Sequence, residues 1–438
     1  MSQLSADDVR SGRSPWAAKF PAMNPQNITL PTGAGGLMSG VLIALGLVGV
    51  IVAFILPGMM GGSVVMKHAL ASVHVGAVTI LAASLGGLFF CMVFHLVNAG
   101  WAGTVRRQFE NLAALVWVPL IFLAVTIGWS VYAKGDINTT LFPWMGMDLS
   151  DPNAYLLKKK AAYLNVPFFL GRAVIFALAW ILLSQLMVNA SRKIDETGDN
   201  KYAASARYVS APGMFVFALS IAFAAFDWLK SMDYAFFSTM WGVYYFAGAA
   251  FTATTSVIMI HAVLRIRGKN EGVVTQEHFH DLGKLCFAFT CFWAYIAFFQ
   301  YFLIWYANIP EETAFYIYRK QGGWEKVFTL LMFGHFVVPF VIVIFRPFKK
   351  NHKAMLLMGA WLIFMQIMDM VFIVRPAVYA GRAPENIPGT GAWLIDIAGT
   401  GGVLLVFIGL LIRKVASGPL VPLQDPRMRE ALSHKNYV

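Results

Sequence analysis

Apolar residues fill this chain in ten blocks separated by short polar segments, at roughly 36–57, 68–99, 108–133, 165–190, 211–230, 236–266, 277–308, 324–347, 353–378 and 391–415. A helix needs about 20 mostly apolar residues to cross the hydrocarbon core of a bilayer, and each block is about that long. Lipid offers backbone groups no hydrogen-bond partners, so such blocks must be helices. Barrel strands would read as short segments of alternating polarity, which do not appear. The pattern predicts an all-α membrane protein with ten transmembrane helices, spans 1 to 10, occupying residues 36–415. Residues 1–35, polar and bearing Pro and Gly, lack the charged, apolar and cleavage regions of a signal peptide and read as a cytoplasmic N-terminal arm. Residues 416–438 are too polar to span and read as a cytoplasmic C-terminal tail.

Composition agrees. The 438 residues are 58% hydrophobic, 15% aromatic and only 13% charged, with a mean hydropathy of +0.64, whereas soluble domains are about a quarter charged. The net charge of +12 follows membrane topology rather than a nucleic-acid surface: alternate loops carry 21 Lys and Arg on the side of the termini and 11 on the other. Arg172 and Lys284 lie inside spans. The positive-inside rule then places both termini in the cytoplasm. The outward loop 134–164 contains "DPNAYLLKKKAAY", which reads as an interfacial helix capped near Asp151 or Asn153, or as a contact for an acidic partner.

Several chemistries find no support. Cys91, Cys286 and Cys291 form no CxxC or cluster-ligand spacing. "PTGAGG" at 31–36 lacks the Lys and hydroxyl of a phosphate loop, and "GTGG" at 399–402 reads as a close helix contact. A haem held between helices needs paired His at similar depth, yet His74 and His95 are separated by about 32 Å along one helix. No metal is expected.

Ionisable residues inside spans are costly, by something like 2.5–3.5 kcal/mol each at mid-helix, and so are candidates for function. The outer half holds His74, Arg172, Asp227, Tyr244, Tyr245 and Asp396, with His335 and Asp369 near the middle. The inner half holds His95, Glu110, His261, His278, His280, Asp281 and Lys284. These read as two partial chains of groups able to exchange protons, one opening to each side, with Arg172 holding a neighbouring carboxylate ionised. His261 and His278 read as solvated helix ends, and Asp227 as either a functional group or a cap on the turn that follows it. Asp369 lacks a local charge partner, and Pro339 can loosen the helix around His335 and admit water. On span 7, Trp293, Tyr295, Tyr301, Trp305 and Tyr306 read as an interfacial aromatic belt, a surface that also suits a quinone ring or a partner subunit.

"HDLGKLCFAFTCFWAYIAFFQYFLIWYANIPEET" at 280–313, "FDWLKSMDYAFFSTMWGVYYFAG" at 226–248 and "PLQDPRMREAL" in the tail resemble the NrfD-like (polysulfide-reductase-type) membrane subunits of bacterial alternative complex III, a quinol:cytochrome c oxidoreductase. The resemblance extends over essentially all ten spans. It implies two four-helix bundles, spans 2–5 and 6–9, flanked by spans 1 and 10. It also implies an inner-membrane assembly with a sister NrfD-like subunit, an iron–sulfur and molybdopterin-enzyme-like subunit, multihaem and monohaem cytochromes c, and a terminal oxidase as one acceptor. Haem c and iron–sulfur clusters would belong to those partners and menaquinol or ubiquinol to the complex as substrate, with the quinol site in the sister subunit. This chain would then be a structural and proton-conducting subunit binding no cofactor of its own, apart from lipids and any peripheral quinone. A secondary transporter is the alternative, although Pro167, Pro339 and Pro376 do not fall in corresponding places in two halves.

Overall fold

A computed structural model of the protein describes residues 4–31, 33–60, 63–136, 139–151, 154–379 and 392–436. All regular structure among them is helical. Ten helical segments are long and apolar enough to cross a membrane, one for each apolar block: α1 (Gly36–Met60), α2 (Met66–Leu96), α3 (Arg106–Tyr132), α4 (Val166–Thr197), α5 (Asn200–Met232), α6 (Trp241–Ile266), α7 (Gln276–Ala307), α8 (Trp324–Val343), α9 (His352–Tyr379) and α10 (Ala392–Ala416). This fits a multi-pass membrane protein.

Boundaries shift where helix and apolarity part company. The helix α5 begins at Asn200, well before its apolar block, because the Asp199 side chain accepts a hydrogen bond from the Lys201 N–H and caps a polar first turn. The helix α4 runs on to Thr197, where Gly198 at φ +66° stops it. By contrast α8 ends short of 347, since Phe345 is extended and a separate turn, Arg346–Lys350, starts there with a proline in its first turn. In the 134–164 loop the short helix is Tyr155–Lys160, and its cap position is Ala154, which has no side chain to cap with. Asp151 lies three residues earlier, and Asn153 lies outside the described residues. Lys160 reaches across to donate to the Tyr234 carbonyl at 2.6 Å.

Helices in lipid gain little from hydrophobicity and associate through close van der Waals contact, which small residues permit. At the centre α2 crosses α6. A β-carbon at Gly86 would sit 2.0 Å from the Ala249 carbonyl oxygen, so only glycine fits there. The α1–α10 crossing works the same way, Gly46 facing Gly402. Around this centre α2 also packs on α3, α5, α9 and α10, and α6 on α5, α7 and α9, while α8 lies against α7 and α9.

One end of the helices is closed by the two termini. Trp16, Met23 and Ile28 of the N-terminal arm form a buried cluster with Val273 of the α6–α7 turn and Val421, Leu423 and Met428 of the tail. The Leu420 N–H donates to the Ile28 carbonyl at 2.8 Å and the Ser14 hydroxyl to the Leu423 carbonyl at 2.9 Å. Gly86→Ala should therefore lower the unfolding free energy by about 1–3 kcal/mol through overpacking, measured by denaturant titration in micelles. Unchanged stability would show that α2 and α6 do not meet so closely.

Candidate functional site

The residues singled out above fall into separate groups. The most enclosed lies between α6, α7, α8 and α9. The Asp369 carboxylate on α9 is fully buried and accepts from two neutral donors, the Tyr244 hydroxyl on α6 and the Trp293 indole N–H on α7, the latter at 3.1 Å. Among the described residues no cation lies within ion-pairing distance of Asp369. His335 on α8 stacks on Trp293 with ring centroids 3.8 Å apart, and neither of its ring nitrogens meets a hydrogen-bond partner among the described residues.

The local chain explains how His335 comes to be there. Pro339 has no N–H for the His335 carbonyl four residues earlier, and its ring crowds that carbonyl. The helix widens accordingly into a π-helical stretch over Leu331–Val337. Its Gly334 carbonyl is turned to accept the Trp361 indole N–H at 2.8 Å.

Beside this group is a cavity of about 600 Å³, walled almost wholly by aromatic and aliphatic side chains, with Tyr244, Trp293, Gln300 and Tyr316 supplying its polar atoms. It opens on the outward apolar face, since Tyr295 and Phe298 line it and are 55% and 59% exposed. Trp293 was expected in the interfacial belt with Tyr295, Tyr301, Trp305 and Tyr306. It faces inward instead, because it shares the buried stripe of α7 with Cys286, Thr290 and Gln300, whereas Tyr295, Trp305 and Tyr306 point out.

The other candidates are held in local partnerships. Arg172 clamps Asp227 with two bonds, 2.7 and 2.9 Å, its guanidinium lying over the Tyr163 ring. Asp227 thus serves as an ion-pair partner rather than a turn cap. His74 bonds the Thr126 hydroxyl and the Trp228 carbonyl. The Tyr245 hydroxyl donates to the Val78 carbonyl and points away from Asp369. Asp396 joins His68 at 3.0 Å, the Ser72 hydroxyl at 2.6 Å and Arg375 at 3.1 Å. The sequence reading passed over His68 and Arg375. Arg375 looked like a loop charge at the end of its block, and the only hint of His68 was its place one turn before Ser72.

At the terminal end, Glu110 lies between Arg106 and Arg107, 3.0 and 3.2 Å away, and accepts from the Ser191 hydroxyl. Arg106 also holds Asp425 of the tail, and Arg107 holds Asp195. His95 is buried nearby. Asp281 is bound by Lys284 and by His434 and Asn436 of the tail, with His280 beside it at 8% exposure and Lys284 half exposed. His261 and His278, expected at solvated ends, are buried, His261 against Val105 of the α2–α3 turn and His278 under the tail, 5.5 Å from the His434 ring. Among the described residues no direct hydrogen bond links the Asp369 group to the Asp227, Asp396, Glu110 or Asp281 groups, and no three His, Cys, Asp or Glu side chains gather as a metal site.

No family model and no curated protein matches the chain.

Breaking a buried pair strands a charge at a cost of about 3–5 kcal/mol. Arg172→Met should lower stability by that amount and Arg172→Met/Asp227→Leu should recover most of it, read from denaturant unfolding; equal losses would show that the two side chains are not coupled. Asp425 lies outside the spanning segments. Burial pushes its carboxyl up, but the Arg106 guanidinium and the Arg427 backbone N–H outweigh this and hold it below the ordinary carboxylate range. A group lowered on folding adds stability above its unfolded value, about 3.9, and loses it as pH falls through the folded one. Protection of residues 417–436 from hydrogen exchange should thus persist from neutral pH to about pH 4 and fall below it, with a flatter profile in Asp425→Asn.

Proposed function

We propose that the chain is an NrfD-like membrane subunit of a bacterial quinol:cytochrome c oxidoreductase of the alternative complex III type, with a structural and proton-handling role. In this reading it sits in the inner membrane with both termini in the cytoplasm. It would assemble with the sister NrfD-like subunit, the iron–sulfur and molybdopterin-enzyme-like subunit and the cytochromes c that carry the electrons.

The observation that carries the reading is the Asp369 carboxylate, buried at the meeting of four helices with two neutral donors and no cation in ion-pairing reach among the described residues. A carboxylate clamped by arginine, such as Asp227, already has a fixed cation as its partner. One held only by a phenol and an indole is poised to take and release a proton. His335, stacked against the same indole, supplies a second group able to exchange a proton within the same enclosure. The aromatic cavity beside them is of a size and lining that suit a quinone ring reached from the lipid, in keeping with a peripheral quinone. Helix adjacency supports the two-bundle arrangement: α2 to α5 pack as one ring of four, α6 to α9 as another, and α1 and α10 pair on the flank.

The deciding experiment isolates the tagged chain from gently solubilised native membranes, with mass spectrometry and a quinol:cytochrome c assay on the same fraction. Multihaem cytochrome, iron–sulfur and sister subunits are expected in an active fraction. Recovery of the chain alone would favour the transporter reading. In the assembled complex Asp369→Asn should leave composition intact and slow proton release coupled to quinol oxidation by about a hundredfold, the low end of what a positioned proton-transfer group contributes. If Asp369→Asn and His335→Gln both leave assembly, quinol oxidation and proton release untouched, the proton role is lost.

A further inference from the structure

Two adjoining cavities lie at the terminal end of α5, far from the Asp369 group. The first, about 660 Å³, sits between the α2–α3 turn, the start of α5 and the tail, and is lined by Asn98, Arg207, Tyr208 and Arg427 among small residues. The second, about 620 Å³, is an apolar trough between α4 and α5 lined by Leu183, Val209, Pro212 and Val216. Ala204 and Tyr208 line both, so the two lie side by side along α5.

The charges in the first cavity lack counter-ions. Among the described residues no carboxylate lies within ion-pairing distance of Arg207 or Arg427, and Arg207 makes no hydrogen bond. Asp425 is the nearest candidate, but its side chain is engaged by Arg106 and by the Arg427 backbone N–H. The Arg427 side chain reaches only the Phe94 carbonyl, at 3.3 Å. The exposed guanidinium of Arg207 and the half-buried one of Arg427 therefore share a cleft in which neither makes an ion pair among the described residues, Asp425 and Glu430 acting on Arg427 only from beyond contact. Lys201 at the mouth is already paired with Asp199 at 2.9 Å and stands in solvent. The trough continues down the same face of α5 through residues 205, 209, 212 and 216, a run of about 22 Å from Lys201 to Val216 at the helical rise. That is the reach of an acyl chain, and Ala204, Ser205 and Gly213 are small enough to leave room for one.

We propose that this double cavity binds an anionic phospholipid, its phosphate between Arg207 and Arg427 and one acyl chain along α5. The terminal face is the one that the Lys and Arg bias assigns to the cytoplasm, where anionic lipids meet basic pockets between helices. A free phosphate would use the cations alone and leave the trough unexplained. A neutral lipid would use the trough and leave the cations unmatched.

The test is binding to the purified full-length chain of phosphatidylglycerol, phosphatidylcholine and glycerol phosphate, read as lipid retained in native mass spectrometry and as the rise in melting temperature. Phosphatidylglycerol should bind at least about tenfold more tightly than phosphatidylcholine. Arg207→Gln should abolish that preference without lowering the lipid-free melting temperature, since the Arg207 side chain makes no internal hydrogen bond or ion pair among the described residues. Val216→Trp, which fills the trough, should weaken phosphatidylglycerol and leave glycerol phosphate as it was. Equal binding of the two lipids, an unaltered preference in Arg207→Gln, or full stabilisation by glycerol phosphate alone would each overturn the proposal, the last by showing a site for a free anion.

Discussion

Everything in this protein is placed by the contact of α2 with α6 at Gly86, where the Ala249 carbonyl occupies the space that any side chain would need. Membrane helices have no hydrophobic reason to prefer one another to lipid, so backbone approach of this kind is what fixes their positions. Its effect is visible on α6 itself. Tyr244 and Tyr245 are neighbours in sequence, but with the axis of α6 held against α2 the second hydroxyl meets the α2 backbone at Val78 and the first swings to Asp369 on α9.

The same low-dielectric interior sorts the acidic groups by what surrounds them. Asp227 and Glu110 each face guanidinium groups at hydrogen-bond distance, and Asp396 shares a network with His68, Ser72 and Arg375. A buried ion pair of this sort holds helices in register, since losing one partner is far more costly than having neither. Asp369 differs in kind, being satisfied by dipoles rather than by charge. The buried carboxylates are therefore told apart by their neighbours and not by depth along the helix.

All ten spanning helices were legible because twenty-residue apolar blocks have one physical solution in lipid. Ends were legible only where polarity and helix stop together; the polar first turns of α5 were invisible because their helicity depends on the Asp199 cap. The close approach at 399–402 was legible from its run of small residues, whereas its partners, Gly46 and Val50 of α1 and Ser72 of α2, lie on other helices. Asp369 stood out for its apolar surroundings, but its partners did not, since Tyr244, Trp293 and His335 come from three other helices. Trp293 was misplaced because interfacial and interior tryptophans share a composition, and only the stripe through Cys286, Thr290 and Gln300 separates them. Burial of His261 and His278 was out of reach for a related reason: what covers them includes a tail 150 residues further along the chain.

The interlock of arm and tail bears on how the molecule is made. Ser14 is synthesised 409 residues before its partner Leu423, and Ile28 similarly far ahead of Leu420. Until the segment after α10 has been made, the cluster around Trp16 lacks Val421, Leu423 and Met428, Arg106 lacks Asp425, and Asp195 lacks the Leu423 N–H. Without residues 420–436 the arm would present Trp16, Met23 and Ile28 as an apolar patch, and Arg106 would keep Glu110 but lose Asp425.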